Sequence, residues 1–317
     1  MTQTLRHLLL CAALAALLIP FQNSSAAPGD EPQLASSWHL KKIGLPKAWA
    51  LSPGSPEVVV AIVDSGVDPH HPGLSGKLVA GFNTADKKNR TADQFGHGTK
   101  MAGVASVAGR SSIMPIRVTD RAGRATSAAI AQGIVWAVDH GARVVNLSLE
   151  GVVRNAAIRG AAEYAFNHGV LVVAPSGNCG CEDSSAETPF ILSVAATDEN
   201  DRVATLSTTG PFVDLSAPGV NLTTTAMYGL YEDDTGTSLA SAVVAGVAAL
   251  MFSVNPALGP AEVTLLLQKT AVDFGGNRRA TGAGTGRVDA FAAVSAAAKV
   301  RNESTKQERT APSVGVQ

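Results

Sequence analysis

Three side chains that could do chemistry together stand where apolar runs give way to polar turns. Asp64 ends "VVVAIVD", His97 lies between glycines in "QFGHGTKMAG", and Ser238 opens the apolar stretch "SLASAVVAGVAAL". Carboxylate, imidazole and hydroxyl are the set that acyl transfer needs. A serine hydroxyl near its free pKa is a weak nucleophile, so a neutral imidazole must take its proton as it attacks a carbonyl. A buried carboxylate then fixes the imidazole tautomer and stabilises the imidazolium that forms. The charge developing on the carbonyl oxygen needs donors, and Asn178, which ends "VLVVAPSGN", could supply one beside the N–H of Ser238. Each residue also has a plainer reading. Ser238 could cap a helix, Asp64 could close an Asx-type turn, His97 could be a satisfied surface histidine at a helix start, and Asn178 could be a turn residue after Gly177.

These residues are far apart in the chain, so a scaffold must gather them. Apolar, β-branched runs at 58–63, 113–118, 143–149, 170–174 and 191–196 alternate with helical patterns near 98–108, 126–140, 154–167, 238–253, 260–270 and 288–299. Continuous rather than alternating hydrophobicity predicts strands covered on both faces. The fold class is therefore α/β, a three-layer, mostly parallel twisted sheet flanked by helices, whose sites form beyond the carboxyl ends of the strands. No internal repeat is present.

The 317 residues, 45% of them hydrophobic, are enough for a large core. Residues 1–26 read as a secretory signal peptide, with Arg6, an apolar run from Leu8 to Ile19 and small residues up to Ala26. Residues 27–37 then form a short leader, 38–300 the folded domain, and 301–317 a polar, disordered tail. A secreted or periplasmic protein is expected. No later segment reads as long and uncharged enough to span a bilayer, so no stable membrane association is expected. Without Arg6 the chain carries 24 basic against 26 acidic residues, and aromatic residues make up 5%. There is no polybasic stripe and no stacking surface, which excludes nucleic acid as a partner. A monomer is the expectation. Cys179 and Cys181 are the only cysteines after the signal; they could bridge around Gly180, stay free, or offer soft metal ligands.

The segments "VAIVDSGVD", "GHGTKMAG", "VVNLSL", "APSGN", "SAPGV" and "GTSLASAVVAGVAAL" resemble, in order and spacing, those of the subtilisin-like serine peptidases, the subtilases. "WHLKKIGLPKAWA" is similar to the entry segment of the thermitase-like branch. The resemblance spans about residues 38–298 and implies Asp64, His97 and Ser238 as a triad, Asn178 as oxyanion donor and an acyl-enzyme mechanism on polypeptide substrates. It also implies a peptide cleft with Ser148, Leu149, Glu150 and Gly151 as a strand that pairs with substrate backbone. Ala174 and Pro175, in "APSGN", would form the opposite wall.

Several positions depart from that pattern. Lys100 stands where the family has histidine, and a close, poorly solvated cation would lower the His97 pKa; a lysine on a solvated helix face is the other reading. Leu239 replaces methionine, so activity should survive peroxide, since leucine forms no sulfoxide. Ala242 and Val243 replace Pro-His. The usual calcium site is expected to be absent, because Gly73 stands in "HPGL" where a carboxylate is usual and the loop after the histidine helix is shortened. Asp86, Asn89 and Asp93 offer oxygens, but Lys87, Lys88 and Arg90 oppose a cation there. No metal or cofactor is expected. Glu150 replaces a glycine and could bias the first pocket toward basic and away from acidic side chains; an outward, solvated carboxylate is the other reading. The leader is too short for the family's propeptide. A catalytically weak, peptide-binding relative is the competing expectation; an α/β-hydrolase esterase would need G-x-S-x-G with its histidine last, and a dinucleotide-binding protein would need G-x-G-x-x-G.

Overall fold

A computed structural model describes residues 37–85, 90–149, 151–273 and 282–310, with backbone alone for Val153 and 301–310. Seven strands form the main sheet: β1 (Val59–Asp64), β2 (Phe82–Asn83), β3 (Ser112–Arg117), β4 (Ala142–Leu147), β5 (Leu171–Pro175), β6 (Ile191–Thr197) and β7 (Leu215–Pro218). They lie in the order β2-β3-β1-β4-β5-β6-β7, and every pair is parallel. The α/β architecture read from the apolar runs is therefore the one observed. Two short helices, α1 (Trp38–Lys42) and α2 (Leu45–Leu51), precede it, and an antiparallel hairpin, β8 (Leu222–Ala226) with β9 (Leu230–Asp234), stands beside it.

Side-chain parity assigns each strand residue to a layer, because successive residues point to opposite faces. Val60 and Ile62, with Val144 and Val173, enter one core. Ala61 and Val63, with Val145 and Val172, enter the other. The first core is covered by α3 (His97–Ala105), α6 (Thr237–Val254), α7 (Pro260–Thr270) and α8 (Ala290–Thr310), the second by α4 (Ser127–Asp139) and α5 (Ala156–Asn167). Asp64 shares its parity with Ile62, so it leaves the sheet on the face that carries α3 and α6. The sequence rule that continuous apolar strands are buried twice thus also selects which layer holds the site.

Two readings of the sequence are corrected. Helix α6 is long and apolar enough to cross a bilayer by length and composition, contrary to the expectation that no later segment is. It carries no charge because it is apolar all round, with 89% of the span buried between the sheet and its neighbouring helices. Helix α8 continues to Thr310, ten residues into the segment read as a disordered tail. Glu303, Lys306, Gln307, Glu308 and Arg309 are good helix formers, and extending an existing helix avoids the cost of a new nucleus. Residues 311–317, and the leader up to residue 36, lie outside the described residues.

Candidate active site

β1 delivers Asp64 to the carboxyl edge of the sheet, 1% exposed. His97 Nδ1 lies 2.9 Å from Asp64 Oδ1 and 2.8 Å from Oδ2. A carboxylate only accepts, so Nδ1 carries the proton and Nε2 holds the lone pair when the ring is neutral. Asp64 Oδ1 also accepts from Ser65 N–H at 2.6 Å. Close approach of α3 to β1 requires Gly98, where a Cβ would stand 2.1 Å from Gly66 O and 3.1 Å from Asp64 Cβ.

The first turn of α3 is capped from outside, because Gly96, its N-cap at φ +102°, has no side chain to do so. Asp93 takes that role. Its Oδ1 accepts from Ser65 Oγ (2.8 Å), Phe95 N (3.0 Å) and Gly96 N (2.7 Å), and its Oδ2 from Thr99 N (2.8 Å) and Thr99 Oγ1 (2.6 Å). Ser65 Oγ in turn accepts from Gly98 N at 2.9 Å. The end of β1 and the start of α3 are thus tied through one carboxylate and one hydroxyl. Spacing gives no signal for Asp93 as an organiser; an acidic residue shortly before a glycine-opened helix is the only hint. The weak cation-binding loop considered for Asp86, Asn89 and Asp93 is cut into by this shell, and residues 86–89 lie outside the described residues.

Ser238 lies in the first turn of α6, 7% exposed, so it sits at a helix start as its sequence setting indicates. Thr237 N and Oγ1 donate to Asn178 Oδ1 at 3.0 and 2.9 Å. Those bonds fix the amide's orientation and leave Nδ2 as its donor end. Leu239 N–H donates to Gly236 O at 3.2 Å, whereas Ser238 N–H meets no acceptor among the described residues. The Asn178 amide and the Ser238 N–H thus stand side by side at this edge of the sheet. The Ser238 hydroxyl makes a long bond, 3.5 Å, to Ser148 O, and among the described residues no hydrogen bond joins it to His97.

Burial disfavours charge on His97, but the Asp64 carboxylate, its hydrogen bond and the Asp234 charge together outweigh burial and raise the ring above its ordinary pKa; Lys100 opposes them. The lowering expected from Lys100 is thus present but overridden. Lys100 Nζ pairs with Asp234 at 2.9 Å and with Glu232, and it is neither unpaired nor fully solvated. Burial works against its charge, yet those bonds and charges hold it above the usual lysine range.

Of the residues expected along the cleft, Ser148 is buried, and its Oγ accepts from Asn146 Nδ2 at 2.7 Å and donates to Ser238 O at 3.3 Å. Leu149 is half-buried and Gly151 exposed, while Glu150 lies outside the described residues. Ala174 belongs to the core on the far face and Pro175 is buried at the end of β5; of the residues that follow, Gly177 is half-buried and Asn178 exposed. Cys179 and Cys181 are joined by a disulfide directly after Asn178. Cys179 Sγ also lies 3.1 Å from Thr208 Oγ1, and Thr208 N–H donates to Gly177 O at 2.8 Å.

Leu239 is buried beside Ser238, and Ala242 and Val243 are buried in α6. Among the described residues, no cluster of three or more His, Cys, Asp or Glu side chains is arranged to hold a metal ion.

The sequence pattern of the subtilase family matches residues 55–286. Thermitase from Thermoactinomyces vulgaris is 37% identical over 280 residues, covering 84% of this chain and 99% of thermitase. Subtilisin DY from Bacillus licheniformis is 35% identical over 234 residues, covering 69% and 85%. Among solved structures, a lanthipeptide protease superposes with a TM-score of 0.74 at 28% identity, covering 82% of this chain and 94% of that one. With the pattern matched over most of the folded domain and the parallel sheet and flanking helices shared, the chain belongs to the subtilase family and is a serine-type endopeptidase.

Proposed function

We propose that the protein hydrolyses peptide bonds through an acyl-enzyme, with Ser238 as nucleophile, His97 as general base and then acid, and Asp64 as the group that orients His97. The observation that carries this reading is the pairing of buried Asp64 with half-buried His97 at 2.8 Å, on the same sheet face as the serine-bearing start of α6. In the forward step Nε2 of His97 takes the Ser238 proton as Oγ attacks the scissile carbonyl, and Asn178 Nδ2 with Ser238 N–H receives the oxyanion. His97 then protonates the leaving amine, and water attacks the acyl group by the reverse path. Substrates are polypeptides of broad sequence, bound extended along 148–151. The chemistry calls for no metal or cofactor. The chain is exported on the strength of residues 1–26 and acts as a monomer.

The long Ser238–Ser148 contact favours a second reading, a peptide-binding relative with weak or no turnover. Serine–histidine bonds in resting sites are often loose and tighten only along the reaction, so the enzyme remains the stronger reading. Unfolded casein separates the two. The enzyme reading expects fragments from the parent protein and none from Ser238→Ala; intact casein with both would leave the binding role.

A further inference from the structure

Lys100 lies one turn beyond His97 on α3, and both its partners are on β9, which ends four residues before Ser238. The bridge therefore spans the two segments that carry the proposed base and nucleophile. Two further bonds tie α3 to β8, the strand paired with β9: Thr224 Oγ1 donates to Lys100 O and Thr225 Oγ1 to Thr99 O, each at 2.7 Å. The ion pairs are only partly shielded, with Lys100 24% and Asp234 31% exposed. Such pairs contribute little to stability but act on a neighbouring charge through the field they leave or cancel.

We propose, resting on the triad reading above, that Lys100 is a positioning residue for the reaction. Its bridge to Asp234 and Glu232 holds the strand leading into Ser238 against the helix carrying His97, and it offsets the Asp234 carboxylate, whose charge favours the protonated ring. Other charged or titratable groups around α3 come from only some of the elements packed on it. They are Asp64 from β1, Asp68 from the loop after it, His71 beside the 72–74 turn and Asp93 from the loop before α3; β8 and α6 bring none. Asp64 is bound to His97 itself, and Asp93 is saturated by five donors, so the balance left to adjust is that between Lys100 and the β9 carboxylates.

The test is a pH titration of the His97 ring by NMR in the full folded chain, run with Ser238→Ala to prevent self-digestion and paired with pH profiles of fluorophosphonate labelling in the active protein. Lys100→Met should raise the ring's midpoint by about half a pH unit at low salt, Asp234→Asn should lower it by a similar amount, and Lys100→Arg should restore the parent value. Half-molar salt should shrink both displacements. A midpoint unmoved or lowered in Lys100→Met overturns the proposal. Should that variant not fold, an unmoved or raised midpoint in Asp234→Asn overturns it equally. The NMR readout does not depend on turnover, so absent labelling with displaced midpoints would reject the triad reading and leave the charge balance standing.

Discussion

Replacing Asp93 with alanine removes one carboxylate and strands five donors: Ser65 Oγ, Phe95 N, Gly96 N, Thr99 N and Thr99 Oγ1. The two hydroxyls can rotate to other acceptors, and Phe95 is exposed enough for water to reach its N–H. Gly96 and Thr99 are buried, so their N–H groups lose their bonds with no replacement. At about 1–3 kcal/mol for each unsatisfied buried donor, partly relieved by relaxation of the loop, the loss should be about 2–4 kcal/mol. Asp93→Asn should fall between, because whichever oxygen it keeps, its NH2 must face at least one of the other donors. The same donors hold the start of α3, so His97 should lose its register against Asp64 and turnover should drop at least ~10-fold in Asp93→Ala. Urea unfolding in a Ser238→Ala background gives the stability, and casein hydrolysis with Ser238 intact gives the activity. An Asp93→Ala protein within ~0.5 kcal/mol of its parent and equally active would refute the view that this carboxylate organises the site.

Because the carboxylates raise His97 above its ordinary value of 6.5, the acidic limb of kcat/KM should have its midpoint above pH 6.5; a midpoint at or below it would contradict the electrostatic balance described. Burial lowers His39 to about 4, so between that pH and 6.5 the unfolded chain binds the extra proton and stability falls as pH falls through the window. The loss should total roughly 3 kcal/mol, and His39→Gln should flatten it; an unchanged slope in urea unfolding against pH would exclude His39 as its source. Reducing the Cys179–Cys181 disulfide with a dithiol should lower turnover several-fold by loosening the turn beside Asn178, with no response in Cys179→Ser; identical kinetics before and after reduction would count against it. Leu239→Met should lose activity in peroxide faster than the parent, and equal loss rates would place the sensitive group elsewhere.

Much of the scaffold was legible because its signals are dense. Five of the main strands are continuous β-branched runs, and α6 is an apolar stretch opened by glycine, threonine and serine. β7, "LSAP", and the hairpin strands "LTTTA" and "LYEDD" were not read, since they are short, polar or ended by proline, and only packing and pairing make them strands. Helices α1 and α2 are too short to show a periodicity. At the site, Asp64, His97, Asn178 and Ser238 stand at strand ends and helix starts, where sequence pattern has most to say. Asp93, Ser65, Glu232 and Asp234 escaped because their part in the site consists of contacts across loops and between distant segments. Such contacts carry no periodicity. Lys100 was visible as an odd residue, but its effect depended on partners more than a hundred residues away, Glu232 and Asp234, which reverse the simple expectation for a lone cation.

Whether Ser238 is a nucleophile activated by His97 is decided by treating the folded protein with a fluorophosphonate and locating the adduct by mass spectrometry. A single adduct should form on Ser238, faster as pH rises through the His97 titration, and be abolished in His97→Ala. Labelling spread over surface residues, or none on Ser238 in a folded protein, would contradict it.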